Sequence, residues 1–299
     1  MPAAQRVIGV DVGGTKILAG LVAADGTLER HRETPTPVGS QEVLLDALAT
    51  AVLEFADDGV VAVGFGVPSR IDSRTGRVDA SVNIPLGDID LREVMSERLG
   101  FPVAVANDAN AATLAEFVAG AGREAQTMVM LTLGTGVGGG VVIEGRLYHG
   151  WAEFGHMVIV TDGEPCFGAC TGRGHLEAYA SGTAATLRAQ AAYGPAVDAH
   201  RLVRLAEEGE QQALAILEDI GRHLGAGIGS LINIFDPDLV VIGGGFAAAG
   251  DLVLEPAREV ARREALTPAD ECAEIVRAEL GTTAGVIGAG LAALEALGP

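Results

Sequence analysis

Two segments of the chain follow the same pattern: a short apolar strand, a glycine turn and a second apolar strand. In the first segment the strands are predicted over 6–11 and 17–22. In the second they are predicted over 127–133 and 141–143, on either side of a run of glycines. One such unit cannot enclose a core by itself. The repetition therefore predicts two related α/β domains.

Helices and strands alternate through the rest of the first half. Apolar residues recur at helical spacing over 42–56, 90–99 and 110–119, and continuous apolar runs over 60–67 and 103–106 predict buried strands. The fold class expected is therefore a mixed α/β protein.

The second copy of the pattern sets the domain boundary near 120–123, where no low-complexity linker occurs. The final helix, predicted over 286–297, is too short to form a domain and is expected to pack back on one of the halves. We predict a smaller first domain formed by 1–118 and 286–299, a larger second domain formed by 119–285, and a cleft between them.

Charge and hydropathy exclude several functions. The net charge of -20 and the pI near 4.6 oppose binding to nucleic acid and to anionic membranes. No segment reaches the roughly 18 uninterrupted apolar residues of a membrane span. The N-terminus leads directly into a strand without the apolar core of a signal peptide, which predicts a cytoplasmic protein with small-molecule ligands.

Three glycine turns, each following a strand, are candidates for phosphate binding. Glycines let backbone N–H groups approach an anion, and threonine hydroxyls add donors. Each turn alone is more often an ordinary hairpin, but three together favour phosphate. Neither a P-loop nor a Rossmann fingerprint is present. The segments are Asp11-Val12-Gly13-Gly14-Thr15-Lys16, Leu133-Gly134-Thr135-Gly136 and Val240-Val241-Ile242-Gly243-Gly244-Gly245.

Lys16 is the only lysine of the chain. Every other strongly basic side chain is arginine, so a merely solvated lysine has no evident reason to persist. Its retention suggests that this position requires a compact ammonium group.

A cluster of soft donors lies between the second glycine turn and the next helix. His156, Cys166, Cys170 and His175 fall within twenty residues, and Cys272 is the only other cysteine. Two thiolates and two imidazoles are ligands that tetrahedral Zn²⁺ prefers, and a closed four-ligand site is usually structural. The alternative is two buried cysteines and two surface histidines. A metal here is expected to order the loop that carries Glu153 and Glu177, and to affect ligand affinity without touching phosphate.

Asp108 is the best candidate for a general base. It follows an apolar strand at the start of a helix, where the helix N-terminus favours the ionised carboxylate. The alternative is a plain N-cap. Asn107 or Asn110 could cap the helix equally well and leave Asp108 available.

Asn83, Glu153 and Glu177 offer amide and carboxylate groups of the kind that bind sugar hydroxyls. Each of them, taken singly, is more often a turn residue or a solvated one.

Together, these motifs resemble the ROK family of bacterial sugar kinases and repressors over nearly the whole chain. The resemblance implies the two-domain, actin-like ATPase fold of sugar kinases, with ATP, Mg²⁺ and sugar in the cleft. It also implies that Asp108 deprotonates a sugar hydroxyl. The sugar would be held by Asn83, Asn107, Asp108, Glu153, His156 and Glu177. ATP would be held by Asp11, Gly13, Gly14, Thr15, Lys16, Gly134, Thr135, Gly136, Gly243, Gly244 and Gly245.

The chain departs from the family pattern at two places. The metal loop usually reads Cys-x-Cys-Gly-x-x-Gly-Cys, whereas here the second cysteine is at position 170 and a histidine occupies position 175. The second departure is Ser69, where relatives tend to carry a glycine after the proline. The donor count survives, so a structural Zn²⁺ is still expected.

The function expected is ATP-dependent phosphorylation of a hexose, glucose before others, by a homodimer or homotetramer. The alternatives are a kinase for fructose, N-acetylglucosamine or N-acetylmannosamine, and a sugar-sensing protein without turnover. Family repressors carry a helix-turn-helix ahead of the first glycine motif. Only ten residues precede Asp11, which favours the enzyme.

Overall fold

The structure is a computed structural model that describes residues 5–56, 59–72, 75–81, 83–269 and 273–298. The chain divides into two compact units. Unit 1 comprises Met1–Arg123 and Glu279–Pro299, and unit 2 comprises Glu124–Ala278.

The unit boundaries are held by one buried carboxylate. Glu116 accepts hydrogen bonds from the backbone N–H groups of Ala121, Glu279 and Leu280, at 3.0, 3.1 and 2.8 Å. These bonds keep both segments in unit 1, beyond the predicted limits at 118/119 and 285/286.

Unit 1 is built on a five-stranded sheet with the order β3-β2-β1-β4-β8, and a three-stranded sheet with the order β5-β6-β7 accompanies it. In the larger sheet β3, β2 and β1 are antiparallel, while β1, β4 and β8 are parallel. The strands are β1 (Arg6–Val12), β2 (Lys16–Ala23), β3 (Leu28–Pro35), β4 (Val60–Val67), β5 (Ser69–Asp72), β6 (Arg77–Ser81), β7 (Gly87–Asp90) and β8 (Val103–Asn107).

The helices of unit 1 are α1 (Gln41–Leu53), α2 (Leu91–Leu99), α3 (Asp108–Ala119) and α9 (Ala284–Ala296). Glycines allow α9 to lie unusually close to the sheet and to α3. A Cβ at Gly9 would overlap the carbonyl oxygen of Val286, and one at Gly64 would overlap that of Ala289. This close backbone contact fixes α9 against β1 and β4.

Unit 2 repeats the sheet of unit 1. Its strand order is β11-β10-β9-β12-β13, with β11, β10 and β9 antiparallel and β9, β12 and β13 parallel. The repeated pattern in the sequence thus corresponds to a repeated topology. The strands are β9 (Met128–Leu133), β10 (Val137–Ile143), β11 (Arg146–Leu147), β12 (Leu239–Gly243) and β13 (Glu274–Arg277).

The helices of unit 2 enclose a core of aliphatic residues from α7, α8 and the sheet. Among the described residues, none of the helices has both the length and the apolar character that crossing a membrane requires. The helices are α4 (Glu177–Ala180), α5 (Gly182–Tyr193), α6 (Ala199–Glu207), α7 (Gln211–Phe235) and α8 (Asp251–Glu264), with short 3₁₀ turns at Phe154–His156, Gly245–Ala249 and, in unit 1, Gly281–Thr283.

The sequence interpretation was wrong about the second glycine run. We placed 134–140 in the turn, but β10 begins at Val137, so the later glycines pair with β9 inside the sheet. Glycine is needed at position 139 for a structural reason, because a Cβ there would overlap the carbonyl of Met130. β3 was missed because it is polar and mostly exposed, as suits an edge strand.

Candidate functional site

The glycine turn of unit 1 connects β1 to β2. The Gly13 N–H donates to the carbonyl oxygen of Lys16 at 2.9 Å, closing the turn. Thr36, which is buried, braces it: its hydroxyl donates to the Gly13 carbonyl at 2.7 Å and its N–H to the Thr15 carbonyl at 3.1 Å. Thr36 was missed, since it lies in an unremarkable Thr-Pro repeat.

Asn83 lies against this turn. A Cβ at Gly14 would be 3.2 Å from the Cβ of Asn83. The structure thus brings a residue expected to bind sugar next to one expected to bind nucleotide. Val82, beside Asn83 in the sequence motif, lies outside the described residues.

The ammonium of Lys16 pairs with a carboxylate that the sequence did not reveal. Lys16 Nζ lies 2.7 Å from Glu33 Oε2, and both side chains are about half exposed. An exposed pair of this kind contributes little stability, so an incoming anion could compete for the ammonium.

Asp11 is the second-last residue of β1 and is half-buried. Burial, together with the negative charge of Asp108, raises the pKa of its carboxyl to about 6, and Lys16 acts in the opposite direction. On the other side lies the first turn of α9, where a Cβ at Gly285 would approach the Asp11 Cγ to 2.5 Å. Two mutually repelling carboxylates are an arrangement that a bound cation or a proton relieves.

Asp108 is the first residue of α3 and follows β8 directly. The N-cap is Asn107, whose side-chain oxygen accepts from the N–H groups of Ala109 and Asn110 at 3.0 and 3.2 Å. Asp108 Oδ1 also accepts from the Ala109 N–H, at 2.9 Å. Because β1 and β8 run in the same direction as β4, Asp11 and Asp108 lie at the same edge of the sheet.

Ser69 and Asn110 both hydrogen-bond to the Asn107 side chain through their backbone, and each has a buried side-chain oxygen. Among the described residues, the buried side-chain oxygens without a protein hydrogen bond are Ser69 Oγ and Asn110 Oδ1. The Asn107 Nδ2 group donates to the Ser69 carbonyl at 3.4 Å. Ser69 thus places its backbone carbonyl against Asn107, the residue before the candidate base.

The two glycine turns of unit 2 are neighbours. The Gly134 N–H donates to the Gly136 carbonyl at 2.9 Å, and the Gly182 N–H donates to the Gly134 carbonyl at 2.8 Å. A Cβ at Gly244, where φ is +86°, would overlap the backbone of Leu133. The turn at Gly243, Gly244 and Gly245 thus packs directly on the strand that leads into Gly134, Thr135 and Gly136.

The four soft donors converge. One ligand atom from each of His156, Cys166, Cys170 and His175 lies within 4.8 Å of all the others. A tetrahedral Zn²⁺ site with ordinary bond lengths separates its donors by roughly 3.3–3.8 Å, so a contraction of about 1 Å completes it. The donor set fits zinc in both type and number. Cys272 lies outside the described residues.

Cys166 carries a proton unless a metal displaces it. Burial, with Cys170 and Glu177 nearby, raises the pKa of the Cys166 thiol to about 11. Since the thiolate is the ligand, metal binding must release this proton.

Two carboxylates border the metal cluster, which we define as His156, Cys166, Cys170 and His175. Glu153 Oε2 lies 3.9 Å from His156 Nδ1, within ion-pair distance but too far for a hydrogen bond. Glu177 Oε2 accepts from the Val137 N–H at 2.9 Å, and Glu177 Oε1 lies 3.9 Å from Cys166 Sγ.

The structure therefore gathers the predicted residues into two sets, one in each unit. Unit 1 holds Asp11, Gly13, Gly14, Thr15, Lys16, Asn83, Asn107 and Asp108. Unit 2 holds Gly134, Thr135, Gly136, Gly243, Gly244, Gly245, Glu153, Glu177 and the metal cluster.

Comparison with known proteins gives consistent results. The family model of the ROK family matches residues 7–296. A glucokinase of Streptomyces coelicolor is 37% identical over 306 residues, covering 94% of this chain and 95% of that protein. A glucokinase of Thermotoga maritima is 36% identical, covering 98% of each. An N-acetyl-D-glucosamine kinase of Salmonella paratyphi B is 34% identical, covering 94% and 97%.

Solved structures are similar over almost the full length. The ROK hexokinase from Thermus thermophilus superimposes with a TM-score of 0.86 at 35% identity, covering 98% of this chain and 99% of that one. The Streptomyces griseus ROK glucokinase, solved with glucose and AMPPNP, gives a TM-score of 0.82 at 35% identity, covering 97% and 99%.

Proposed function

The chain belongs to the ROK family, and on that premise we propose that it transfers the γ-phosphoryl group of ATP to a hexose, with glucose as the preferred substrate. The fold is that of the family's kinases, the two-domain actin-like sugar kinase fold, as the sequence predicted. The observation that carries the proposal is the placement of Asp108 beside Asp11, at the edge of the sheet where the glycine turn also lies.

Asp108 is the general base in this proposal. Its carboxylate takes the proton of the glucose 6-hydroxyl as the oxygen attacks the γ-phosphorus, the bond to the β-phosphate oxygen breaks, and ADP leaves. The start of α3 favours the ionised form of Asp108. Asn107 supports this role by capping the helix, so that the Asp108 carboxylate is not needed as the cap.

Charge on the phosphates is offset mainly in unit 1. Mg²⁺ would enter bound with ATP and offset phosphate charge, and the Asp11 carboxyl, next to Asp108, would help to hold it. Lys16 adds an ammonium group, and the N–H groups of Gly13, Gly14 and Thr15 add donors. Because the protein carries a net charge of -20, these local positive groups are needed to attract ATP.

Unit 2 supplies further ligands in the proposal. Gly134, Thr135 and Gly136 face phosphate, and Gly243, Gly244 and Gly245 lie nearest the adenosine. The sugar is held by Asn83 and Asn107 from unit 1 and by Glu153, His156 and Glu177 from unit 2. The metal cluster holds one structural Zn²⁺, for which its converging donors are the support.

The proposal also covers the oligomeric state, location and partners of the protein. The protein acts as a homodimer or homotetramer in the cytoplasm, on small molecules alone, without nucleic acid or membrane. Its acidity supports the last two points.

A second candidate is phosphorylation of N-acetylglucosamine. The Salmonella kinase for that sugar is nearly as similar to this chain as the glucokinases are. Discrimination between the two sugars depends on the space around the sugar 2-position.

The test is an ADP-release assay with ATP, Mg²⁺ and a panel of glucose, mannose, fructose, N-acetylglucosamine and N-acetylmannosamine. We expect the highest kcat/KM with glucose. A higher kcat/KM with N-acetylglucosamine would favour the second candidate. Sugar binding with no ADP formed in the presence of any sugar of the panel would identify a sensor and reject the kinase.

A further inference from the structure

We propose that Glu177 is a positioning residue that couples the metal cluster to the glycine turn 134–136, so that metal occupancy controls nucleotide affinity as well as sugar affinity. This inference rests on the proposed function, because it assigns the turn to nucleotide. It differs from the expectation from sequence, in which the metal affects sugar binding alone.

The first step is the contact between Glu177 and the turn. Val137 closes the hairpin opposite Leu133, and its N–H donates to Glu177 Oε2 at 2.9 Å. The carboxylate can reach this N–H only because residue 136 is a glycine, since a Cβ there would overlap Glu177 Oε2. Gly136 therefore has a structural role in addition to any contact with phosphate.

A second contact fixes the turn from the same segment of chain. The Gly182 N–H donates to the Gly134 carbonyl at 2.8 Å. Gly182 begins α5, directly after the short helix α4 that Glu177 begins. The orientation of the turn thus depends on residues that follow the metal cluster.

The next step joins Glu177 to the metal cluster. Its other oxygen, Oε1, lies 3.9 Å from Cys166 Sγ, and Glu177 is two residues after His175. A carboxylate held by a metal-ligating loop on one side and by a backbone N–H on the other transmits displacement of that loop. Loss of metal would free Cys166 and His175 and so release Glu177.

The turn of residues 154–156 gives the coupling a second route. A Cβ at Gly155 would overlap the carbonyl of Val137, so the residue before His156 also packs on the end of the glycine turn. Both ends of the metal-binding segment therefore contact Val137, one through Gly155 and the other through Glu177.

The experiment measures ADP affinity by calorimetry without sugar, in zinc-loaded protein and after zinc removal by a chelator. Glu177→Ala removes the acceptor of the Val137 N–H and is expected to weaken ADP binding about tenfold, within the range for a hydrogen bond to a charged group. In Glu177→Gln the amide oxygen can still accept, so ADP affinity should stay within about threefold of wild type.

Glu153→Ala is the matched control. Glu153 lies beside the same metal cluster, and its charged contact is with His156. It should weaken glucose binding and leave ADP affinity unchanged. Zinc removal should weaken ADP binding in wild type about tenfold and change it little further in Glu177→Ala, because coupled effects do not add.

Amide hydrogen exchange of the segment 133–140 gives a readout apart from binding. Exchange should rise on zinc removal and in Glu177→Ala, but not in Glu153→Ala. If Glu177→Ala fails to fold, the wild-type comparison with and without zinc, together with Glu177→Gln, decides the question.

Equal ADP affinity and equal exchange with and without zinc would overturn the coupling. Wild-type protein that binds no ADP would overturn the proposed function and this inference with it. Protein that binds ADP in a zinc-dependent way yet phosphorylates no sugar would reject the function and keep the inference.

Discussion

The sheets of the two units have the same strand order and the same strand directions, yet the ends of their first strands carry different chemistry. In unit 1 the second-last residue of β1 is Asp11, and Asp108, which directly follows the parallel strand β8, lies close enough to affect its charge. In unit 2 the corresponding position is Thr132, which pairs with Gly138 of β10. The two sheets therefore provide equivalent positions at the ends of their first strands, and the side chains at these positions determine their chemistry.

The supports of the two glycine turns differ in the same way. The turn of unit 1 is braced by a buried threonine, Thr36, through the backbone. The turn of unit 2 is braced by Glu177, whose position depends on a loop with four metal donors. The turn of unit 1 therefore lies among charged groups and is supported by a neutral hydroxyl, whereas the turn of unit 2 offers backbone donors and is supported by a carboxylate.

The largest effect is expected at the base in unit 1. Asp108→Asn should lower kcat by about 10²–10⁴-fold while glucose binding remains measurable, because the amide cannot take the hydroxyl proton. Glu97→Gln, an exposed acid on α2 of the same unit, is the control. Steady-state kinetics and calorimetry would check this, and near-wild-type turnover in a folded variant would remove Asp108 from the mechanism.

The next largest effect is expected from a substitution in the metal cluster of unit 2. Cys170→Ser should release zinc and raise the KM for glucose by roughly 10–100-fold, the scale of losing one ligand's support. The KM for ATP should rise less. Elemental analysis and kinetics are the measurements, with Cys272→Ser as the control. Full activity in wild-type protein with less than about half an equivalent of zinc would contradict it.

Asp11→Asn should separate stability from activity. The native pKa of about 6 exceeds the ordinary 3.8, so the native state binds the proton more tightly than the unfolded state does. The contribution of Asp11 to stability is therefore full below pH 4 and falls as pH rises through 6.

Asparagine mimics the neutral acid, so the variant should be more stable than wild type at pH 8 by on the order of 3 kcal/mol, and about equal at pH 4. It should also lose phosphoryl transfer. Urea unfolding at both pH values checks the difference. The same change in stability at pH 4 and pH 8 would show that desolvation of the carboxylate is not the cause.

The smallest effect is expected at Lys16. Lys16→Arg keeps the charge but replaces a compact ammonium with a broad planar group, so kcat/KM for ATP should fall about threefold to tenfold without unfolding. Glu33→Gln, which removes the partner of Lys16, is the companion variant and should change ATP kinetics less. Unchanged kinetics in Lys16→Arg would make the single lysine incidental.

The first half of the fold and the repeat of the sheet were largely predictable because their signals are local, whereas α4–α8 of unit 2 were not predicted. The apolar strands around Gly13, the amphipathic helices and the repeated strand–glycine–strand pattern each follow from periodicity. The polar edge strand β3 and the small sheet β5-β6-β7 were not predictable, since their residues are exposed or mixed and pair only through the fold.

The candidate site was predictable where chemistry is concentrated in a short segment. The donors from His156 to His175 lie close in sequence and converge in space. Contacts made over long separations were missed. Thr36 hydrogen-bonds to Gly13, Glu33 pairs with Lys16, and Glu177 accepts from Val137. None of these contacts corresponds to a recognisable spacing in the sequence.

The close packing of α9 in unit 1 has a consequence for how the protein is made. The glycines of β1 and β4 pack directly against the backbone of α9. Glu116 accepts hydrogen bonds from the N–H groups of Glu279 and Leu280. These partners leave the ribosome after all of unit 2 has been synthesised. Unit 2, which is continuous in sequence, can therefore complete its core while the earlier-made unit 1 still lacks its last helix. The nascent chain is thus expected to finish its second unit first, with the apolar faces of β1 and β4 exposed until then.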